Sequence, residues 1–133
     1  MNLDEAQRKE RTVLVVDDEP PIRELASRIL LRDGYTVLVA GSGEEALRVA
    51  EENSDTIGLL LCDIDMPRMT GRTLADRLMA TRRKLKVLFM SGHAADRLTQ
   101  LGFVPTAGVP FLNKPFGVAE LSGKVREVLD AQV

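Results

Sequence analysis

The chain is predicted to adopt an open α/β fold, a parallel sheet of five strands with helices on both faces. Three observations carry that expectation. Short apolar runs, several of them β-branched, alternate with amphipathic helical stretches along the chain. The runs are apolar at consecutive positions rather than every second one, as in strands covered on both faces. Several stop abruptly at a polar residue, where such sheets place their ligands.

Thr12-Val13-Leu14-Val15-Val16 is the first strand, ending at Asp17-Asp18-Glu19. Pro20-Pro21 opens a helix, because proline suits a first turn whose N–H has no intrahelical partner, and Ile22, Leu25, Ile29 and Leu30 recur at helical spacing. Gly34 is placed to end it in a left-handed cap. Tyr35 to Ala40 reads as strand two, and Ser42-Gly43-Glu44-Glu45 as a capping box that opens a helix with Ala46, Leu47 and Ala50 inward. Ile57 to Cys62 is strand three, closing on Asp63. Leu74, Leu78 and Met79 mark a helix from about Gly71 to Arg83, whose basic end, Arg82-Arg83-Lys84, suits the negative pole of the helix dipole.

Val87-Leu88-Phe89-Met90 is strand four, followed by Ser91-Gly92-His93. A short helix is expected over Ala94–Leu101, and Gly102, Pro105, Gly108 and Pro110 break up the segment after it into the most mobile part of the chain. Val109 to Asn113 is a short fifth strand, with Pro110 tolerable near its start, and Lys114-Pro115 ends it. Val118, Leu121, Val125, Val128 and Leu129 repeat at steps of three and four along a final amphipathic helix. The reading is one domain over residues 12–131, preceded by a polar extension or linker remnant over 1–11.

The totals exclude several functions. A chain of 133 residues suits one compact domain. One cysteine, Cys62, rules out a disulfide framework or thiolate zinc site, and one histidine, His93, rules out a histidine-rich metal site. A net charge of −2 argues against binding nucleic acid by phosphate neutralisation. The leader Met1–Arg11 carries Asp4, Glu5, Arg8, Lys9, Glu10 and Arg11 and lacks the apolar core of a signal peptide. A cytoplasmic protein with no membrane contact is expected.

Right-handed crossovers send every strand's carboxyl end to one edge of the sheet. That edge collects Asp17 and Asp18 from strand one, Asp63 from three, Ser91 from four and Lys114 from five. Carboxylates gathered in one cleft repel, and each is pushed towards protonation unless a cation joins them. All-oxygen ligation points to a hard ion, with Mg²⁺ the best fit. Lys114 adds a point cation and Ser91 a hydroxyl donor, the equipment for a phosphoryl group on or beside Asp63. A carboxylate can itself be the nucleophile, because phosphoryl transfer needs chiefly positioning and charge neutralisation.

Four stretches carry a resemblance: Val15-Val16-Asp17-Asp18-Glu19-Pro20, Asp63-Ile64-Asp65-Met66-Pro67 with Gly71, Met90-Ser91-Gly92, and Phe111-Leu112-Asn113-Lys114-Pro115-Phe116. In this order and spacing they resemble the receiver domain of bacterial two-component response regulators, over about Thr12 to Leu129. The resemblance implies the three-layer, flavodoxin-like (CheY-like) arrangement with strand order 2-1-3-4-5. It also implies that Asp63 accepts a phosphoryl group from a histidine kinase, a histidine phosphotransfer protein or, slowly, a small phosphodonor. By the same resemblance Asp18 and Asp63 ligate Mg²⁺ directly, Asp17 does so through water, and the Asp65 carbonyl completes the protein's share. Lys114 pairs with the phosphoryl oxygens, and its bond to Pro115 is cis. Ser91 moves to the phosphoryl group and Phe111 turns inward behind it, altering the surface of the Ala94–Leu101 helix, the fifth strand and the final helix. The input is one local charge change of about −1.5 to −2. Both monomer and phosphorylation-dependent dimer stay open. The wording around Ser91 and Lys114 also resembles receivers fused to the carboxyl end of hybrid sensor histidine kinases.

Plainer readings stand beside these. The acids and Lys114 are alternatively a structural ion-pair network, and Ser91 and Phe111 a strand-end hydroxyl and a core aromatic. Cys62 reads as a small buried hydrophobe or a redox sensor. His93 either tunes acyl-phosphate hydrolysis or has no role, and the Asp65 side chain faces solvent or the site. Two other functions compete. Asp63-Ile64-Asp65 also resembles the nucleophile motif of haloacid-dehalogenase-type phosphatases, although the acid pair here comes first and the chain leaves little room for a substrate cap. The other is a pseudo-receiver, a docking module without phosphorylation, against which an intact acceptor, acid pair and lysine argue.

Overall fold

The computed structural model describes residues 11–53, 56–92 and 110–131. Strands β1 (Thr12–Val16), β2 (Thr36–Ala40), β3 (Leu59–Asp63), β4 (Lys86–Ser91) and β5 (Phe111–Asn113) form one parallel sheet in the order β2-β1-β3-β4-β5. The described helices are α1 (Pro20–Arg32), α2 (Gly43–Glu52), α3 (Gly71–Thr81) and α4 (Val118–Asp130). The expected helix over Ala94–Leu101, along with His93, Gly102, Pro105, Gly108 and Val109, lies outside the described residues.

Strand pleating divides the core into two layers. Val13, Val15, Leu59 and Leu61 point to one face, where Ala26, Ile29 and Leu30 of α1 and Leu121 and Val125 of α4 cover them. Leu14, Val16, Leu60 and Cys62 point to the other, under Ala46 and Ala50 of α2 and Leu74 and Leu78 of α3. β1 and β3 are therefore buried along their whole length, while β2, at the sheet's edge, is buried only at Ala40. Leu60 and Leu61 serve opposite faces, and truncating either to Ala costs about 2–5 kcal/mol in cores of this kind.

The local signals behave as their chemistry requires. Gly34 adopts φ 94°, and the Tyr35 N–H reaches the Leu30 carbonyl while the Gly34 N–H reaches Leu31, a Schellman end to α1. The Ser42 hydroxyl accepts from the Glu45 N–H and the Thr70 hydroxyl from the Thr73 N–H, capping α2 and α3. Three apolar residues expected inside are exposed: Leu25, Met79 and Val118. The buried stripe of α1 centres on Ala26, Ile29 and Leu30, which leaves Leu25 one position, about 100°, off its middle. Met79 sits next to the buried stripe of α3 in the same way, whereas Val118 is in line with Leu121 and Val125 but is the first residue of α4.

The basic end of α3 also differs from expectation. α3 ends at Thr81, and Arg82 donates through Nη2 to the Ala50 carbonyl at 2.9 Å, satisfying a carbonyl in the last turn of α2 rather than its own helix. Lys86 does similar work for α4, donating from Nζ to the carbonyls of Leu129 and Ala131 at 2.6 and 2.8 Å. Both contacts lie away from the edge where the acids meet.

Candidate functional site

The site forms at the carboxyl edge because β1, β3, β4 and β5 all end there. Asp17 follows β1 and is fully buried, Asp63 closes β3 at 6% exposure and Ser91 closes β4 at 3%, whereas Asp18 is exposed. Lys114 follows β5, and its bond to Pro115 is cis. Its Nζ lies 2.8 Å from Asp17 Oδ2, 3.3 Å from Asp63 Oδ2 and 3.8 Å from Glu19 Oε2. One ammonium is thus shared among three acids. Asp17, Asp18 and Asp63 each offer a carboxylate oxygen within 4.8 Å of the others.

Backbone groups hold these side chains. Asp17 Oδ1 accepts from the Glu19 N–H at 2.9 Å, and the Asp17 N–H donates to the Ala40 carbonyl at the end of β2. Asp63 Oδ1 accepts a long bond, 3.4 Å, from the Asp65 N–H. The turn after β3 folds back tightly: the Gly71 N–H donates to the Ile64 carbonyl at 3.0 Å, and a Cβ on Gly71 would collide with the Asp63 carbonyl oxygen. Arg68 in this turn takes φ 70°, a left-handed conformation unusual outside glycine. Glycine at 71 is thus a condition for placing the Asp63 backbone.

Ser91 and Phe111 lie beside this cluster. The Ser91 carbonyl accepts from the Lys114 N–H at 2.9 Å, tying the ends of β4 and β5. Phe111 is half-buried on the α2/α3 side of the sheet, its ring 5.8 Å from that of Phe89, its register partner in β4. Asp65 is also half-buried.

The electrostatics favour a further cation. Burial raises the Asp63 carboxyl to about 6; Lys114 counters that shift and Asp17 adds to it. Burial opposes the Lys114 charge, yet its pKa is raised because hydrogen bonding and attraction from Asp17 and Asp63 outweigh burial. The Cys62 thiol is pushed well above its usual range, first by burial and then by Asp63 and Asp17, so it is a poor nucleophile and packs as a small hydrophobe. Asp17 Oδ2 is closed off from water and lies 2.8 Å from the Lys114 ammonium. Asp17, Asp18 and Asp63 bring three hard oxygen donors together with only one ammonium beside them, a donor set that suits a divalent oxygen-seeking ion.

Residues 13–126 match the response regulator receiver domain family. The chain belongs to that family. The receiver is 39% identical over 121 residues to the sensor kinase CckA of Brucella abortus, covering 91% of this chain and 13% of that one. It is 32% identical to the probable transcriptional regulatory protein TcrX of Mycobacterium tuberculosis, over 89% of this chain and 49% of the relative. It thus spans half or less of these relatives' own length. Among solved structures, the receiver domain of the hybrid histidine kinase CckA superposes with TM-score 0.74 at 38% identity, covering 90% of this chain and 99% of that one. The chemotaxis protein CheY4 of Vibrio cholerae gives 0.75 at 28% identity, covering 88% and 97%. The chain is a receiver domain of two-component systems, a family of phosphoacceptors.

The sequence-derived acids and Lys114 come together, with Ser91 at the adjoining strand end and Phe111 on the flanking edge. Two contributors were assigned no role from the sequence. Glu19 is the third acid around Lys114, although its side chain is largely exposed. Arg23 donates from Nη1 to the Asp17 carbonyl at 2.8 Å, a contact between a helix side chain and a strand-end carbonyl that no spacing rule announces.

Proposed function

We propose that Asp63 is the phosphoacceptor of this receiver and that its aspartyl phosphate switches the surface beside β5. The observation that carries this reading is the sharing of the Lys114 ammonium between Asp17 and Asp63, with Asp18 alongside. The donor is a phosphohistidine on a kinase or phosphotransfer protein, or a small acyl phosphate. Likeness to the receivers of CckA and of transcriptional regulators supports such a partner.

In the transfer, an Asp63 Oδ attacks phosphorus in line. The new O–P bond forms as the donor's N–P bond breaks, and the imidazole leaves with the electron pair and takes a proton from solvent. Asp18 and Asp63 would hold Mg²⁺ directly, Asp17 through water and Asp65 through its carbonyl. When bound, Mg²⁺ neutralises charge on the transferring phosphoryl oxygens. Lys114 then follows the phosphoryl oxygens, exchanging carboxylate partners for a more highly charged one.

The Ser91 hydroxyl donates to a phosphoryl oxygen, and Phe111 turns towards the space that this movement vacates. The switch operates to the extent that the phosphoryl group favours one of these two arrangements. Borohydride reduction of the phosphorylated protein followed by peptide mapping tests the acceptor, because it converts an aspartyl phosphate to homoserine. The reading requires homoserine at position 63; homoserine at 17, 18 or 65 instead would refute it.

A further inference from the structure

We infer that Arg23 is a positioning residue for the acid pair, fixing Asp18 through the peptide that joins it to Asp17. Its Nη1 donates to the Asp17 carbonyl at 2.8 Å, and that carbonyl belongs to the plane whose far end is the Asp18 N–H. Asp18 needs such support. Its side chain is exposed and makes no hydrogen bond or ion pair among the described residues, so its position rests on its backbone. The guanidinium is itself confined, for a Cβ on Gly41 would stand 3.0 Å from Nη1 and 3.6 Å from Cζ. Arg23 thus lies against the turn after β2 while holding the end of β1, two points also joined by the bond from Asp17 N–H to the Ala40 carbonyl. Lysine reproduces the charge but not the planar fork that fills this slot.

The inference rests on the proposal that Asp18 ligates Mg²⁺, and the sign of the effect separates it from simple electrostatics. Arg23 is a cation near a cation site. If it acted only through charge, removing it would tighten Mg²⁺ binding; if it positions Asp18, removing it weakens binding.

The experiment is calorimetric titration of the unphosphorylated protein with MgCl₂, alongside thermal unfolding in EDTA, for wild type, Arg23→Gln, Gly41→Ala and Asp18→Asn. Residues behind a metal's ligands typically change affinity by 10- to 100-fold. Arg23→Gln is expected near the low end, with a Kd weakened roughly tenfold. Gly41→Ala, which crowds the guanidinium without removing it, shifts Kd in the same direction and covers the case in which Arg23→Gln fails to fold. An unchanged or tighter Kd in folded Arg23→Gln, with Asp18→Asn still impaired, overturns the positioning role alone. A Kd unaffected by Asp18→Asn overturns the ligand assignment on which it rests.

Discussion

Lys114 holds its ammonium 2.8 Å from Asp17 and 3.3 Å from Asp63, so a single cation just after β5 bridges the acids that follow β1 and close β3. Asp17 is fully buried, and a buried carboxylate deprived of its partner keeps its desolvation cost. Lys114→Met is therefore expected to destabilise the metal-free protein by about 3 kcal/mol, measured by urea denaturation in EDTA. Saturating Mg²⁺ recovers part of that loss, because it replaces the missing positive charge.

Asp63 makes stability depend on pH in the opposite sense to most carboxylates. Its folded pKa, raised to about 6, lies above the unfolded value of 3.8, so the native state binds more protons between those pH values. Stability from this group consequently falls as pH rises from about 4 to 6, and the penalty is fully present at neutral pH. Asp63→Asn is expected to be more stable than wild type at pH 7 in EDTA by on the order of 1–2 kcal/mol, discounted because solvent still reaches the carboxylate edge. The difference disappears near pH 4. Denaturation of both proteins across that range checks the sign.

Mg²⁺ should relieve the same penalty. A ligand that binds only the folded state at 100 times its Kd adds about 2.7 kcal/mol, which is read as a rise in the thermal midpoint. Asp18→Asn is expected to lose most of that rise. Chelation with EDTA returns wild type to its starting midpoint.

Gly71 and Gly123 form a contrasting pair. A Cβ at 71 collides with the Asp63 carbonyl and lies 2.9 Å from Ile64 Cα, both backbone atoms that cannot swing aside, whereas nothing lies within 4 Å of a Cβ at 123 in the middle of α4. Gly71→Ala is expected to cost about 1–3 kcal/mol and to slow phosphorylation by displacing Asp63. Gly123→Ala should stabilise by about 0.5–1 kcal/mol and leave phosphorylation unchanged. Chemical denaturation and the rate of phosphoryl uptake measure both.

Much of this was legible in the chain because the fold depends on signals that repeat. The runs at Val13–Val16 and Leu59–Cys62 are apolar on both faces, which only a doubly covered sheet can bury, and parallel strands then bring Asp17, Asp18, Asp63 and Lys114 to one edge. Helical spacing could not distinguish the centre of an apolar stripe from its margin, which is why Leu25 and Met79 emerged exposed, nor the middle of a helix from its first residue, where Val118 stands. Long basic side chains were the least legible. Arg23, Arg82 and Lys86 each bond backbone carbonyls outside their own element, and neither helix nor strand periodicity announces those partners.

Asp63 is expected to take up one phosphoryl group with help from Mg²⁺. Intact mass spectrometry after incubation with acetyl phosphate, with and without Mg²⁺, tests it most directly on wild type and Asp63→Asn. A single phosphoryl adduct is predicted in wild type with Mg²⁺, with none in EDTA and none in Asp63→Asn. An adduct of equal yield in Asp63→Asn would rule out Asp63 as the acceptor, and one that forms equally well in EDTA would rule out the help from Mg²⁺.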